Sequence, residues 1–447
     1  MTRQFLDVGV VQIQAWLART PKLQGRRGAS TLISQVSDPD AIRQVLPSDP
    51  DLAKINDEAG RIDGVVALEL ADSSKETATT VERVVVDHIR QQLPGVSLSV
   101  SRYSGETYEQ ARSAQAHFSR EWPAPAADWP PGRPCQWCST WPATPDKQDA
   151  EGNKLCAECV ERREAAGSAK SRRAVPFPEQ ELLRRLGING EPAIPDEFDQ
   201  LTSLEGETHL ALVYADGNAI GAFIKRYLGR KRKRKNQLNI AKTIDDATWE
   251  SLVDAVRDIS GEDEAHLPVV PHLVGGDDVL VSVPASRAWR FTRTLLTGFG
   301  ARMESTASEF GVGTIPSLSA GVVFHHYQLP LFLLQELAKA QLRHAKVHTA
   351  GGEASIAWQD TTRDGHNPIS RPALTLRELT DHWQALRTLR DLPASARHRV
   401  DELVRAHGPG SAELEAHKIR MGIADELAPF GQSIAVADAI GMTKWWS

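Results

Sequence analysis

The sequence predicts an α+β protein with two ferredoxin-like domains, a four-cysteine zinc module between them and an α-helical C-terminal domain. Two observations on element order lead to this prediction: strands and helices alternate in a recognisable order over 209–359, and more weakly over the first 120 residues. A third is the pair of Cys-x-x-Cys motifs that lies between these two segments. The predicted domains are 1–121, 122–178, 179–365 and 366–447.

The order of elements is clearest in the second half of the chain. Residues 209–215 (HLALVYA) form a continuous apolar run that is typical of a buried central strand. Strands at 267–274 and 279–283 flank Gly275-Gly276-Asp277-Asp278, which predicts a hairpin with this tetrapeptide at its turn. With the amphipathic helices between the strands, the order is β-α-β-β-α-β with one more helix and strand appended. The remaining predicted elements are helices at 218–228, 248–259, 286–310 and 329–348, and strands at 317–324 and 354–359.

The first 120 residues repeat this order less clearly. Strands are expected at 5–10, 62–70 and 96–102, and helices at 11–20, 78–92 and 107–120. This segment has no carboxylate-bearing hairpin turn, so a second copy of the fold here would be catalytically empty.

Composition limits the class of protein. The chain has 447 residues, which indicates about three domains of roughly 150 residues. Its 41% hydrophobic and 25% charged residues are typical of a soluble globular protein. No apolar run is long enough to span a membrane, and the N-terminus lacks the pattern of a signal peptide, so we expect a cytoplasmic protein without membrane association. The net charge of −6 does not by itself indicate nucleic acid.

The four cysteines form a typical zinc-binding pattern. Cys135-x2-Cys138 and Cys156-x2-Cys159 are separated by 17 residues, a spacing at which two knuckles close one tetrahedral site. Four thiolates leave no open position on the metal, so we expect the zinc to be structural. A redox Cys-x-x-Cys or two unrelated thiol pairs are the alternatives.

Three aspartates are predicted to meet at one sheet edge. In the predicted topology the first and third strands are antiparallel neighbours, which places Asp216, at the end of the first, beside Asp277 and Asp278. Converging carboxylates are suited to two Mg²⁺ or Mn²⁺ ions that are shared with substrate phosphates. The sequence therefore predicts phosphoryl-transfer chemistry here, with an ordinary Gly-Asp hairpin turn as the alternative.

Residues around these aspartates have the properties of a phosphate site. Glycines allow the backbone to approach a triphosphate, and we expect this of Gly217, Gly221, Gly275 and Gly276. Lys339 and Lys346 lie seven residues apart on one helix, hence on one face, where they could reach phosphate oxygens.

These motifs resemble a known family. Strand-Asp216-Gly217-Asn218-x-x-Gly221, Gly-Gly-Asp-Asp, Ser-x-Ser-Ala-Gly-Val-Val (317–323) and Ala345-Lys346 are similar to the palm domain of the large signature subunit of type III CRISPR effector complexes, the Cas-ten family. Diguanylate cyclases share the palm fold more distantly. Residues 9–30 are similar to the start of the family's first, inactive palm, and the cysteine module and helical C-terminal domain also match its layout.

The resemblance implies a nucleotidyltransferase that converts ATP into cyclic oligoadenylate second messengers when the effector complex engages target RNA. By this resemblance, Asp216, Asp277 and Asp278 hold two Mg²⁺ or Mn²⁺ ions, with the Gly217 carbonyl as a further ligand. Adenine would stack in the palm cleft and Lys346 would contact phosphate. The implied partners are ATP, guide RNA, target RNA and other effector subunits.

Two departures from the family pattern affect this expectation. Many members have an acidic residue where this chain has Asn218, and an amide is a weaker metal ligand. No His-Asp dipeptide occurs in the sequence, so we expect a form without the HD nuclease domain and without DNase activity. A weakly catalytic scaffold subunit that binds RNA or nucleotide, and a stand-alone cyclic-nucleotide synthase, remain as alternatives.

Other polar features have less specific interpretations. Asn218 is a candidate nucleotide-binding residue, and Ser319, together with Ser317, is a candidate for recognising adenine by hydrogen bonding. The basic run 230–235 is a candidate for RNA or phosphate binding, or an ordinary surface loop. His325 and His326 follow a strand and are expected to be exposed.

Overall fold

The chain forms two compact units around two β-sheets. The computed structural model describes residues 2–20, 22–46, 52–59, 64–113, 116, 118–124, 132–166, 177–188, 195, 197–203, 207–231, 240–261, 266–369 and 371–446. The first unit comprises 1–181 with 330–332, and the second comprises 182–329 with 333–447. Two sheets, helices around each and a helical C-terminal region confirm the predicted α+β class. The four-domain boundaries are finer than this division and remain a prediction.

The first unit has a five-stranded sheet with the order β2-β3-β1-β4-β5. Its strands are β1 (Arg3–Val11), β2 (Ala53–Ile55), β3 (Val65–Leu70), β4 (Ser97–Gly105) and β5 (Phe118–Trp122). Its helices are α1 (Ile13–Leu17), α2 (Leu23–Val36), α3 (Pro39–Val45), α4 (Lys75–Gln92), α5 (Tyr108–Ser113) and α6 (Ala157–Ala166), followed by α7 (Phe177–Leu186), which ends in the second unit.

The core of this unit follows from the alternation along β1. Leu6, Val8 and Val10 face one side, where they pack with apolar residues of α2 and α4. The other side holds a smaller cluster around Phe5 and Tyr108. Strand β1 is therefore covered on both faces, and it is central because it pairs with β3 and β4.

The predicted helix over 107–120 is wrong in its second half. The helix ends at Ser113, and Phe118–Trp122 forms the edge strand β5, with Trp122 opposite Leu98 of β4. The Arg120 guanidinium lies 4.1 Å from the centroid of the Trp122 ring. Cross-strand pairing and this cation–π contact favour a strand where local sequence alone favours a helix.

Helices α2 and α6 approach each other very closely within the first unit. A Cβ on Gly28 would lie 1.6 Å from the carbonyl oxygen of Arg162, so only glycine fits at this crossing. Arg162 itself is fully buried, where it donates to the Trp16 carbonyl at 3.1 Å and to Glu158 at 2.6 Å. The crossing therefore fixes the helix that carries Cys159 against the sheet domain.

The second unit has a six-stranded sheet with the order β11-β10-β9-β6-β8-β7. Its strands are β6 (His209–Asn218), β7 (Val270–Gly275), β8 (Asp278–Pro284), β9 (Ser317–His326), β10 (Ser355–Asp360) and β11 (Leu374–Thr375). Its helices are α8 (Phe198–Ser203), α9 (Ile220–Lys231), α10 (Ile240–Ile259), α11 (Ala288–Glu309), α12 (Leu331–His348), α13 (Thr361–Asp364), α14 (Leu376–Asp381), α15 (Trp383–Asp391), α16 (Ala394–His407), α17 (Ala412–Met421), α18 (Ala424–Leu427) and α19 (Val436–Thr443).

The topology predicted for this unit is confirmed. Strand β6 lies between β8 and β9 and is antiparallel to both, while β10 is parallel to β9. Residues 210–215 of β6 are buried, as the continuous apolar run predicts for a central strand. The ends of β6 and of the β7–β8 hairpin therefore meet at one edge of the sheet.

The C-terminal residues pack onto the second sheet. Asp360, at the end of β10, is fully buried and accepts hydrogen bonds from Lys444 at 3.1 Å and Trp445 at 3.0 Å. The Trp445 ring stacks on Phe324 of β9 with centroids 5.6 Å apart. In the part of the chain that the structure describes, no helix has the length and apolar character needed to cross a bilayer.

Candidate active site and zinc site

The Gly-Gly-Asp-Asp segment forms the turn between β7 and β8. Gly275 pairs with Asp278, and Gly276 adopts a φ of +61°, a left-handed conformation that favours glycine. Helix α10 holds both backbone groups of Gly276: its amide donates to Asp245 at 2.9 Å, and its carbonyl accepts from the Thr248 hydroxyl at 2.7 Å. The turn is therefore anchored by a helix, in addition to its two strands.

Asp216 lies near the end of β6, one residue beyond Ala215, the last residue that pairs with β8. Ala215 pairs with Val279 of β8, and Asp216 pairs with Ser319 of β9. The next residue, Gly217, approaches the turn so closely that a Cβ there would lie 2.2 Å from Asp277 Oδ2. The end of β6 and the turn thus meet as predicted, and glycine at 217 permits the approach.

Burial and mutual repulsion perturb the two aspartates of the turn. Burial, followed by the charge of Asp216, raises the pKa of Asp277 above its ordinary value. Burial, followed by the charges of Asp216 and Asp277, raises the pKa of Asp278 to about 7. The charge of Lys346 and a hydrogen bond from Tyr214 lower the pKa of Asp278, but they offset only part of this increase. A bound cation would stabilise the ionised form of both carboxylates.

Lys346 supplies a positive charge at this edge. Its ammonium forms an ion pair with Asp216 and donates to the Gly217 carbonyl at 2.8 Å. The side chains of Asp216 and Lys346 are 32% and 28% exposed, so a ligand can reach both. The carboxylate and the carbonyl therefore already converge on one cationic group.

Asn218 and Ser319 lie beneath this edge. Asn218 is 3% exposed, and its Nδ2 donates to Ser317 at 3.0 Å, to Ser319 at 2.8 Å and to the Glu353 carbonyl at 3.2 Å. Its Oδ1 is buried and accepts no hydrogen bond from the described residues. Ser319 is fully buried, and its hydroxyl lies 2.8 Å from that of Ser355. The roles predicted for both residues toward nucleotide remain predictions.

The other two predicted glycines face open space. Both Gly221, at the start of α9, and Gly275 are exposed, and a Cβ on either would meet no atom within 4 Å. Their backbone is accessible to a ligand, as the predicted contact with a triphosphate requires.

The donor set at this edge fits a hard divalent cation. Carboxylates and a main-chain carbonyl are the oxygen ligands that Mg²⁺ and Mn²⁺ prefer. Two such oxygens, from the Asp216 carboxylate and the Gly217 carbonyl, already contact the positively charged Lys346 ammonium. Among the described His, Cys, Asp and Glu residues, however, only the four cysteines form a group of three or more whose ligand atoms all lie within 4.8 Å. The carboxylate oxygens of the three aspartates therefore do not all lie within 4.8 Å of one another.

Four strands of the first sheet, β2-β3-β1-β4, have the order of β7-β8-β6-β9 in the second sheet, but they lack these carboxylates. Residues Gln12 and Ala219, which follow β1 and β6, both have positive φ, 56° and 59°, so the two strand–helix junctions correspond. Gly9 then takes the place of Asp216, and each is opposite a serine of the next strand, Ser99 or Ser319.

The hairpin of the first sheet differs in the same way. Val8 pairs with Val66 as Ala215 pairs with Val279, so Val65 takes the place of Asp278. The residue before it is Gly64, at the position of Asp277. The first sheet therefore carries none of the three aspartates at the corresponding positions.

The four cysteines converge as the sequence predicts. They are buried, all four Sγ atoms lie within 4.8 Å of one another, and Sγ of Cys138 and Cys156 are 3.7 Å apart. Zn–S bonds of about 2.3 Å in a tetrahedron require S···S distances of about 3.8 Å, which matches this pair. Hydrogen bonds from Cys138, Cys156 and Cys159 lower the pKa of Cys135 below its ordinary value. The cluster fits one zinc ion with no open position.

Surrounding side chains hold the two knuckles in place. The Trp137 indole donates to Asp149 at 2.8 Å, and the Trp141 indole donates to Glu158 at 3.2 Å. Asp149 also accepts a hydrogen bond from the main-chain N–H of Asn153 at 2.7 Å. Such contacts around a metal site fix the loops that carry its ligands.

The remaining polar features fall outside the site. The basic run 230–235 lies outside the described residues, apart from the backbone of its first two members at the end of α9. His325 is 1% exposed, so the expectation that it is exposed is wrong; burial lowers its pKa to about 4. His326, on the opposite side of β9, is partly exposed.

Comparison with known proteins agrees with this architecture. Residues 209–355 match the family model described as Cas10/Cmr2, second palm domain. This chain carries a Cas10-family palm domain. The matched segment contains Asp216, Asp277, Asp278 and Lys346, and the family resemblance seen in the sequence is confirmed.

Solved structures extend the likeness over the whole chain. A Csm1–Csm4 cassette in complex with cA4 aligns with a TM-score of 0.54 and 10% identity over 99% of this chain and 69% of the other. The cassette in complex with pppApA aligns with a TM-score of 0.57 and 11% identity over the same shares. Csm1 of T. onnurineus aligns with a TM-score of 0.53 and 12% identity over 99% and 68%. At these identities the likeness concerns the fold. No protein with a curated description matches.

Four residues that contact the candidate site were not predicted from the sequence. Asp245 and Thr248 hold the turn, while Glu353 and Ser355 contact Asn218 and Ser319. The first two lie three residues apart on one face of α10, a spacing that hints at a shared role. The other two follow α12 in a loop and strand whose contacts have no local signature.

Proposed function

We propose that this protein is a nucleotidyltransferase that converts ATP into cyclic oligoadenylates in type III CRISPR antiviral defence. The observation that supports it most is the juxtaposition of Asp216, the Asp277-Asp278 turn and Lys346 at one edge of a Cas10-family palm. The similar Csm1–Csm4 cassettes in complex with cA4 and with pppApA agree with this substrate class.

In this reaction a ribose hydroxyl of one ATP attacks the α-phosphate of another. The new O–P bond forms as the bond to pyrophosphate breaks, and the hydroxyl proton leaves to solvent. No side-chain nucleophile is needed. Lys346 can exchange its contact with Asp216 for a phosphate oxygen, because both partners are accessible at the edge.

Asp216, Asp277, Asp278 and the Gly217 carbonyl would hold two Mg²⁺ or Mn²⁺ ions. When bound, these ions activate the hydroxyl and neutralise the charge of the leaving pyrophosphate. The protein contributes three neighbouring carboxylates that attract them; burial, followed by the charge of the neighbouring carboxylates, raises the pKa values of Asp277 and Asp278. The exposed backbone of Gly221, Gly275 and Gly276 is proposed to line the nucleotide site, with Asn218 and Ser319 buried beneath it.

We further propose that guide RNA, target RNA and other effector subunits regulate the reaction. The similar structures include a Csm1–Csm4 subcomplex of the type III-A CRISPR-Csm interference complex, which supports assembly with a partner subunit. Zinc is proposed to be a permanent structural component of the cysteine module.

Incubation of the purified protein with ATP and Mg²⁺ or Mn²⁺, with and without guide and target RNA, tests the proposal by mass spectrometry of the products. Oligoadenylate formation is expected, and Asp277→Asn combined with Asp278→Asn should abolish it. Asp254→Asn, which removes an exposed carboxylate from α10, is the matched control and should retain it.

The possible outcomes separate the alternatives. Product without RNA favours a stand-alone synthase. Nucleotide or RNA binding without any product favours a scaffold subunit. Product from the double variant contradicts the assignment of the aspartates.

A further inference from the structure

We propose that Asn218, Ser319 and Ser355 form a buried hydrogen-bond relay that positions Lys346 on Asp216, and that Asn218 acts as a hydrogen-bond donor and not as a metal ligand. The inference deepens the proposed function, on which its catalytic consequences rest. It assigns positioning roles, since none of the three residues needs to touch the substrate.

The relay connects four elements of the second unit. Asn218 of β6 donates to Ser319 of β9 at 2.8 Å, and Ser319 lies 2.8 Å from Ser355 of β10. The Ser355 hydroxyl donates at 2.8 Å to the carbonyl of Ala345, the residue before Lys346 in α12. Lys346 in turn contacts Asp216 and the Gly217 carbonyl, which lie in β6, the strand that also carries Asn218.

Donor counting fixes the direction of every bond in this relay. A carbonyl only accepts, so the single proton of Ser355 is committed to Ala345. Ser355 must then accept from Ser319, and Ser319 in turn must accept from Asn218. The relay therefore requires a donor at position 218, which an ionised aspartate cannot be.

A second contact makes the same demand on Asn218. Its Nδ2 also lies 3.2 Å from the carbonyl of Glu353, in the loop that follows α12. A carboxylate at 218 would face this carbonyl with no proton between them, at a site that is 3% exposed. The Glu353 carbonyl also accepts from the Thr349 hydroxyl at 3.1 Å, but two acceptors buried against each other still repel. An asparagine here therefore suits the loop as well as the relay.

The relay acts on the end of α12 that carries Lys346. Ala345 belongs to the last four residues of the helix, whose carbonyls lack partners within it, and Ser355 supplies one. Earlier in the helix, a Cβ on Gly321 of β9 would lie 2.1 Å from the Ala338 carbonyl. Close packing thus fixes the middle of α12, and the relay fixes its end.

Ser355→Ala, Lys346→Met and the double variant test the relay. The readouts are the affinity for the non-hydrolysable analogue α,β-methylene-ATP with Mg²⁺, and kcat for oligoadenylate where the wild type makes it. A positioning residue misplaced by about 1 Å can cost up to about 100-fold in rate, and we expect each single variant to lose about tenfold in affinity or kcat. The double variant should lose no more than Lys346→Met alone.

Ser251→Ala is the matched control. Ser251 is also fully buried and donates to a helix carbonyl, Ala247, at 2.6 Å, but it has no contact with the relay. It should change affinity and kcat less than about twofold, in either background, because Ser251 contacts neither the relay nor the aspartates. Losses that multiply in the Ser355→Ala and Lys346→Met double variant would contradict the relay.

Asn218→Asp separates the donor role from that of a metal ligand. The relay predicts weaker binding of the analogue and no gain in Mn²⁺ affinity, measured by calorimetry on the full chain. Tighter Mn²⁺ binding would overturn the donor role. If wild type binds the analogue but forms no product, the proposed function fails while the binding comparison still decides the relay. In that case, equal binding of the analogue by wild type and Ser355→Ala would refute the relay.

Discussion

Replacing Asp278 by Asn should stabilise the metal-free protein, and the gain should grow as the pH rises. Asp278 is partly buried beside Asp216 and Asp277, and its carboxylate form is therefore unfavourable in the folded protein. An asparagine keeps the size of the side chain and removes its charge. Functional sites often lower the free energy of unfolding in this way, because the charged groups that they need are unfavourable when buried close together.

The sign and size follow from the raised pKa of Asp278. This pKa is 3.8 ordinarily and about 7 in the folded protein, so between these pH values the folded state holds a proton that the unfolded state has released. The wild type therefore loses stability as the pH rises from about 4 to about 7, whereas asparagine does not titrate. At about 1.4 kcal/mol per pH unit, the advantage of the variant should grow by at most about 3 kcal/mol between pH 5 and pH 8.

Differential scanning calorimetry at pH 5 and pH 8, in buffer without divalent cations or chelators, measures the difference. Asp254→Asn is the control, and the difference between its Tm and that of wild type should change little with pH. Adding Mg²⁺ at pH 8 should reduce the difference in Tm between Asp278→Asn and the wild type, because binding of the ion stabilises the wild type more. A gain that is equal at the two pH values, or a variant that is less stable at pH 8, would refute the reasoning.

Three further predictions concern the structural elements. Cys156→Ser should abolish the stoichiometric zinc found by elemental analysis and lower the Tm of the first unit, because three thiolates no longer close the tetrahedron. Gly28→Ala should destabilise the same unit by about 1–3 kcal/mol or more in denaturant titration, since the added methyl overlaps the Arg162 carbonyl; unchanged stability would contradict the close α2–α6 crossing. Trp445→Phe keeps the stacking on Phe324 but leaves Asp360 with one donor fewer, so we expect a loss of about 1–3 kcal/mol in the second unit, visible as a lower Tm.

The candidate site was predictable where the signal is local. Gly275-Gly276-Asp277-Asp278 between two apolar runs predicts a hairpin turn, and the strand order then places Asp216 beside it. The structure confirms both because apolar periodicity and turn chemistry act over a few residues. Helix α10, which holds the turn through Asp245 and Thr248, was not predicted to take part. Its contribution depends on how the helix packs, which periodicity does not specify.

Asn218 shows the limit of interpretation by pattern. Many members of the family that the sequence resembles have an acidic residue at this position. The sequence alone therefore suggests that Asn218 is a weak metal ligand. The structure surrounds its Nδ2 with three oxygen atoms, from Ser317, Ser319 and Glu353. Only this environment shows that the amide donates, because the partners lie about 100 or more residues away in sequence.

The sequence by itself determined the α+β class, the strand order of the second sheet, the hairpin that carries two aspartates and the four-thiolate cluster. Each of these follows from short-range spacing, which fixes which face or turn a residue occupies. Tertiary structure alone decided that Phe118–Trp122 is a strand, and that Lys346 pairs with Asp216 across 130 residues. Edge pairing and side-chain contacts depend on three-dimensional packing, and no local pattern encodes them.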